Sequence, residues 1–177
     1  MAQTIYAIGI GSNRRGRHGG PGDEVRAVIA ALGGVIAASP VIATPPLGPS
    51  IRRFANAAVL IASDEAPPAL LARLKALERA FGRRRGRRWG ERVIDLDILL
   101  WSGGMWRSRR LIVPHAALAE RSFALAPLVA IAPGWRVPPH GRTIRQLAAR
   151  LTARAPAPRC APSMAGVRSS VGRASDF

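Results

Sequence analysis

A chain of 177 residues has room for one compact domain, and its 48% apolar content excludes a wholly disordered protein. The formal charge of +17 favours anionic partners without fixing a fold. The single cysteine excludes an intrachain disulfide, and no apolar run is long enough to cross a bilayer, so the expectation is a cytoplasmic protein with no membrane partner.

Almost all of the positive charge is arginine, Lys75 being the only lysine. Alanine, glycine and proline are also abundant, so coding bias explains the arginines outside the motifs as well as selection does. Residues 4–11 form an apolar run ending in glycine and read as a buried strand, followed by a polar, Gly-rich loop. Asp23 is placed to cap a helix to about Leu32, stopped by Gly33 and Gly34. Val35 to Ala43 reads as a second strand, closed by Thr44-Pro45-Pro46-Leu47-Gly48-Pro49, where proline blocks both helix and ladder. Phe54 to Ala62 is a third strand, and residues 64–82 carry a helix with prolines at its start and Gly82 at its end. Val93 to Trp101 is a fourth strand.

This β-α-β-β-α-β order predicts an α+β, ferredoxin-like arrangement: an antiparallel sheet with both helices on one face. A C-terminal extension follows, with an amphipathic segment over 116–133 and a last helix near Thr143 to Ala153. The domain is expected to span residues 1–153. Residues 154–177 are Pro-, Ala- and Ser-rich and aperiodic, which predicts a disordered tail. One synonymous reading of Ser169 to Phe177 matches part of a transfer-RNA gene followed by a stop triplet. On that reading the frame runs into a neighbouring gene, which the DNA beyond the 3′ end would test.

The run "RWGERVIDLDILLW", from Arg88 to Trp101, places Asp95 and Asp97 inside an apolar strand, in a chain with only ten acidic residues. Alternation puts both carboxylates on the open face of the sheet and Ile94, Leu96, Ile98 and Leu100 on the helix side. Adjacent carboxylates repel unless they are protonated or bridged by a cation. Hard oxygen ligands suit Mg²⁺, which shares its shell with phosphates; the plainer alternative is a solvated pair balanced by arginine. Arg83, Arg84, Arg85, Arg87, Arg88 and Arg92 surround the pair, and guanidinium forks match phosphate oxygens. Trp89 could cover such a site and exclude water, or simply pack. "GIGSN" is not a dinucleotide fingerprint, because Arg14 stands where the last glycine belongs, and no Walker loop is present.

With these residues in view, "RWGERVIDLDILL" resembles the signature of the 6-hydroxymethyl-7,8-dihydropterin pyrophosphokinase family. "GSN" at Gly11, "TPPLG" at Thr44, "FANAAV" at Phe54, "LERAFGR" at Leu77 and "PHAALAERSFALAPLVAIAP" at Pro114 agree in the same order, so the resemblance covers roughly residues 4 to 150. It implies the ferredoxin-like fold and transfer of pyrophosphate from ATP to the pterin hydroxymethyl group, releasing AMP, in folate biosynthesis. Asp95 and Asp97 would bind two Mg²⁺ ions, with Arg83 and Arg92 as further catalytic groups. Glu78, Trp89, Arg110, His115 and Arg121 would face ATP. Thr44, Pro45, Leu47, Phe54, Asn56 and Phe123 would form the pterin pocket, the two aromatics sandwiching the ring. The chain departs from the family pattern at Phe54, where Tyr is common, and at Ala116, where a larger residue or Pro is usual.

Two other readings compete. A ferredoxin-like RNA binder needs aromatics on its central strands, whereas this strand offers aspartates, which repel RNA. A catalytically dead paralogue would not need Asp95, Asp97, Asn56, Phe123 and His115 together. The expectation is therefore a monomeric enzyme whose partners are ATP and the hydroxymethyldihydropterin, with no specific nucleic acid.

Overall fold

The computed structural model describes residues 3–45, 53–82 and 92–154. In chain order these form β1 (Thr4–Ser12), α1 (Pro21–Ala31), β2 (Val35–Ala38), β3 (Ile42–Thr44), β4 (Phe54–Ser63), α2 (Pro67–Ala80) and β5 (Asp95–Trp101). There follow β6 (Trp106–Arg107), β7 (Ile112–Val113), a 3-10 turn (Leu118–Glu120), α3 (Ser122–Ile131), β8 (Arg136–Val137), β9 (Arg142–Thr143) and α4 (Ile144–Arg154). The main sheet runs β2-β4-β1-β5, with β3 also on β4, and every pairing is antiparallel. Leu47, Arg83, Trp89 and the expected tail from residue 155 onward lie outside the described residues.

The strand expected over Val35 to Ala43 is two strands. Pro40 cannot donate to a ladder. Ser39 compensates: its N–H donates to the Ala58 carbonyl, and its Oγ accepts from the Ala58 N–H, both at 2.9 Å. β2 therefore pairs with the Val59–Ile61 end of β4, and β3 with its Phe54–Asn56 end. Asp23 is not the cap of α1 either. Gly20 caps the helix, Pro21 opens it, and the Asp23 carboxylate accepts from the Gly20 N–H at 2.9 Å from inside the first turn. α2 stops where expected, because Gly82 takes φ +89°, which a helix cannot continue through.

The sheet buries both faces. Tyr6, Ile8, Ile10, Leu96 and Ile98 pack with Val25 and Val28 of α1 and Leu70 and Leu74 of α2. On the other face Ala7, Ala58, Leu99 and Leu100 pack with Leu125 and Leu128 of α3 and Ile144 of α4. Two expectations change here. The face carrying the aspartates is not wholly open, since α3 and α4 cover part of it. Leu100 also leaves the set it was placed in: Ile8 pairs with Ile98 but Ala7 with Leu100, so Leu99 is a bulge residue that resets the alternation. Among the described residues no helix is long and apolar enough to cross a membrane.

Candidate active site

The part of that second face that α3 and α4 do not cover is built in rows across the strands. Asn56 of β4, Gly11 of β1 and Asp95 of β5 share one register row, and Ala58, Gly9 and Asp97 the next. A Cβ on Gly11 would stand 3.2 Å from Asn56 Oδ1. Glycine there leaves a flat floor between the amide and the carboxylates, which no other residue would provide.

Each aspartate meets an arginine. Asp95 Oδ2 accepts from Arg92 Nη1, three residues earlier in the chain. Arg121 Nη1, from the start of α3, lies 3.7 Å from Asp97 Oδ2. The side chains of Asp95 and Asp97 are 23% and 36% exposed, so both can reach a ligand from solvent. The guanidinium groups offset the mutual repulsion of the carboxylates. Among the described residues no group of three or more acidic, His or Cys side chains is arranged to hold a metal. The protein's contribution to a cation would be two hard oxygens, which fits an ion that takes its remaining ligands from phosphate and water.

His115 completes the cluster from the far edge of β5. Its N–H donates to the Leu99 carbonyl at 2.9 Å, and its Nδ1 accepts from the Ala117 N–H at 3.1 Å. With Nδ1 accepting, the ring proton of neutral His115 is on Nε2. Arg121 Nη1 lies 3.4 Å from that Nε2. In that tautomer the two N–H groups are not each other's partner, and an acceptor placed beside them would be within reach of both.

Burial pushes the His115 pKa below its ordinary value, and Arg121 adds to that, against the opposing pull of Asp97 and Asp95. A depressed folded-state value means that the unfolded chain binds the proton more tightly. Stability is therefore expected to fall as pH drops from about 6.5 towards the folded-state value. Denaturant midpoints at pH 5 and 7.5 test this: His115→Gln should show the smaller acid loss, and an equal loss would contradict it.

On the other side of the floor Asn56 is 4% exposed, and its Nδ2 donates to Thr44 Oγ1 at 2.7 Å. Phe54 lies two residues away on the same face of β4 and pairs with Thr44. Phe123 sits in the first turn of α3, with the Arg121 guanidinium 5.7 Å from its ring centre. Pro45 is exposed beside Thr44. Arg110 is exposed in the β6–β7 turn. Glu78 is turned inward: 1% exposed, it bonds Lys75 and the Leu96 backbone on the helix side of β5.

Two residues without a role in the sequence reading acquire one. Asn13, the last letter of "GSN", is buried; its Oδ1 accepts from the Arg92 N–H at 2.8 Å, and its own N–H donates to the Arg92 carbonyl at 3.1 Å. It thereby fixes the backbone of the arginine that holds Asp95. His18 places Nδ1 2.9 Å from Oε2 of the buried Glu24 and so pins the loop after β1. The motif pointed to Asn13, but only the fold reveals its partner 79 residues away.

Comparison with known proteins agrees with this geometry. The family model for 7,8-dihydro-6-hydroxymethylpterin-pyrophosphokinase matches residues 7–133. A Pseudomonas aeruginosa protein named 2-amino-4-hydroxy-6-hydroxymethyldihydropteridine pyrophosphokinase is 37% identical over 155 residues, covering 84% of this chain and 92% of that protein. A Methylorubrum extorquens protein of the same name is 42% identical over 118 residues, 66% of this chain and 73% of its own length. Among solved structures, Plasmodium falciparum HPPK-DHPS superposes with a TM-score of 0.68 at 14% identity, over 86% of this chain and 42% of that one, which is a likeness of fold. With the matched segment carrying both aspartates, Asn56, His115, Arg121 and Phe123, the chain belongs to the 7,8-dihydro-6-hydroxymethylpterin-pyrophosphokinase family.

Proposed function

We propose that this chain, acting as a monomer, transfers the β,γ-pyrophosphoryl group of ATP to the hydroxymethyl oxygen of 6-hydroxymethyl-7,8-dihydropterin. The observation that carries the reading is one half-face of the sheet, with paired carboxylates beside Arg92, Arg121 and His115, and a buried amide across a glycine floor. The strand order, taking β2 and β3 as one interrupted strand, reads as ferredoxin-like.

Asn56 and Asp95 stand two strand spacings apart, about 10 Å. That span suits a flat bicyclic ring held at its edge by Asn56 and the Thr44 segment, with its hydroxymethyl arm directed at the aspartates. Phe54 and Phe123 supply stacking surface for the ring. Asp95 and Asp97 are the ligands for Mg²⁺, two ions in this reading. When bound, these neutralise triphosphate charge and make the attacking hydroxyl easier to deprotonate. Arg92 and Arg121 are placed to take phosphate oxygens while remaining near the carboxylates, and His115 Nε2–H donates rather than accepts. Arg83, Trp89 and Leu47 complete the proposal from outside the described residues, and Arg110 from the β6–β7 turn. Catalysis is then positioning and charge stabilisation, which is most of what phosphoryl transfer asks of a protein.

Metal removal tests the reading. Chelation is expected to stop pterin-dependent ATP consumption and excess Mg²⁺ to restore it, followed by nucleotide chromatography. Consumption that persists in chelator would overturn the role given to the aspartates.

A further inference from the structure

Leu96, the residue between the two aspartates, is gripped by α2 at both of its backbone polar groups. Its N–H donates to Glu78 Oε1 at 2.7 Å, and its carbonyl accepts from Lys75 Nζ at 3.0 Å. The same Nζ donates to the same Oε1 at 2.7 Å, which closes the ring. Among the described residues β5 is the outer strand of the main sheet, so these are the groups that a further strand would pair with. Two helix side chains three residues apart take that place. The Leu96 N–H belongs to the peptide plane that joins it to Asp95, and its carbonyl to the plane that joins it to Asp97. Fixing both planes fixes the torsions that set the separation of the two carboxylates.

The chemistry also accounts for the only lysine in the chain. A compact ammonium with three rotatable donors can bond a carboxylate and a carbonyl at once and keep its last proton towards solvent. A planar guanidinium is longer and fixed in its fork, so it fits this small ring less readily than the ammonium does.

We propose that Lys75 and Glu78 are positioning residues: a side-chain clamp that replaces a missing strand and holds Asp95 and Asp97 at metal-binding separation. The metal half of this statement rests on the function proposed above; the clamp itself does not.

Backbone amide exchange in the free protein, followed by NMR, decides the clamp without substrate or metal. In wild type the Leu96 amide should be protected although its strand is an edge. Glu78→Ala should speed its exchange by about tenfold or more, while Val59 and Ile61 in the sheet interior stay protected. Glu78→Gln keeps an oxygen acceptor and should retain most of the protection. In the enzyme assay Lys75→Met should raise the half-saturating Mg²⁺ concentration several-fold with the pterin KM unchanged, and Lys75→Arg should not restore it. Unchanged Leu96 exchange in Glu78→Ala would overturn the proposal. So would a raised ATP KM with unchanged Mg²⁺ dependence in the Lys75 and Glu78 variants, since that would make them direct nucleotide contacts. Because the exchange arm contains no pterin, failure of the clamp and failure of the pyrophosphokinase reading are separable.

Discussion

Asp97→Ala is expected to lower kcat by about a thousandfold, and Asp95→Ala to do the same, with the fold retained. The size follows from what is removed. Charge stabilisation by a bound metal is worth several kcal/mol, and each tenfold in rate costs about 1.4 kcal/mol. The fold survives because neither carboxylate is a core group: both are partly exposed, and their arginine partners are partly exposed too. Exposed pairs of this kind contribute about 0–1 kcal/mol to stability. Steady-state kinetics alongside thermal melts would separate the two effects. Near-normal turnover in either variant would remove the metal assignment, while a collapse of the melt would make the pair structural.

The second large effect lies at the other end of the floor. Asn56→Ala is expected to raise the KM for the pterin by about a hundredfold and leave the KM for ATP nearly unchanged. A site built to hydrogen-bond its ligand loses heavily when one partner is withdrawn, because the remaining polar groups stay buried and unpaired. Thr44 would lose the amide that now donates to its hydroxyl at 2.7 Å, so a stability loss of about 1 kcal/mol should accompany the change. Equal increases for both substrates would mean that Asn56 shapes the sheet and does not read the ring.

Much of this arrangement can be read in the sequence, and the parts that cannot have physical reasons. Alternation through "IDLDI" correctly separates Asp95 and Asp97 from Leu96 and Ile98, because one polar residue in every two survives only on a two-sided strand. Alternation fails one residue later. Leu99 and Leu100 are both apolar, and nothing in a pair of leucines marks a bulge. The reading of Val35 to Ala43 as one strand passed over Pro40, which cannot pair, and the Ser39 bridge that mends the break depends on Ala58, nineteen residues away. The segment after Pro114, read as amphipathic, is a 3-10 turn followed by a helix apolar on all sides, and its sequence does not show the docking beside the aspartates that puts Arg121 and His115 at the site. The two hairpins, β6–β7 and β8–β9, have strands of two residues, too short for any periodicity. Lys75 and Glu78 are visible as an i, i+3 pair, yet their grip on Leu96 exists only once α2 lies along β5.

The most direct measurement is the product of ATP in the presence of 6-hydroxymethyl-7,8-dihydropterin and Mg²⁺, with AMP separated from ADP. AMP formed in equal amount to a pyrophosphorylated pterin is the predicted result. ADP with a monophosphorylated pterin would contradict the account, because attack would then fall on the γ-phosphorus and the aspartates would be holding the triphosphate in a different register.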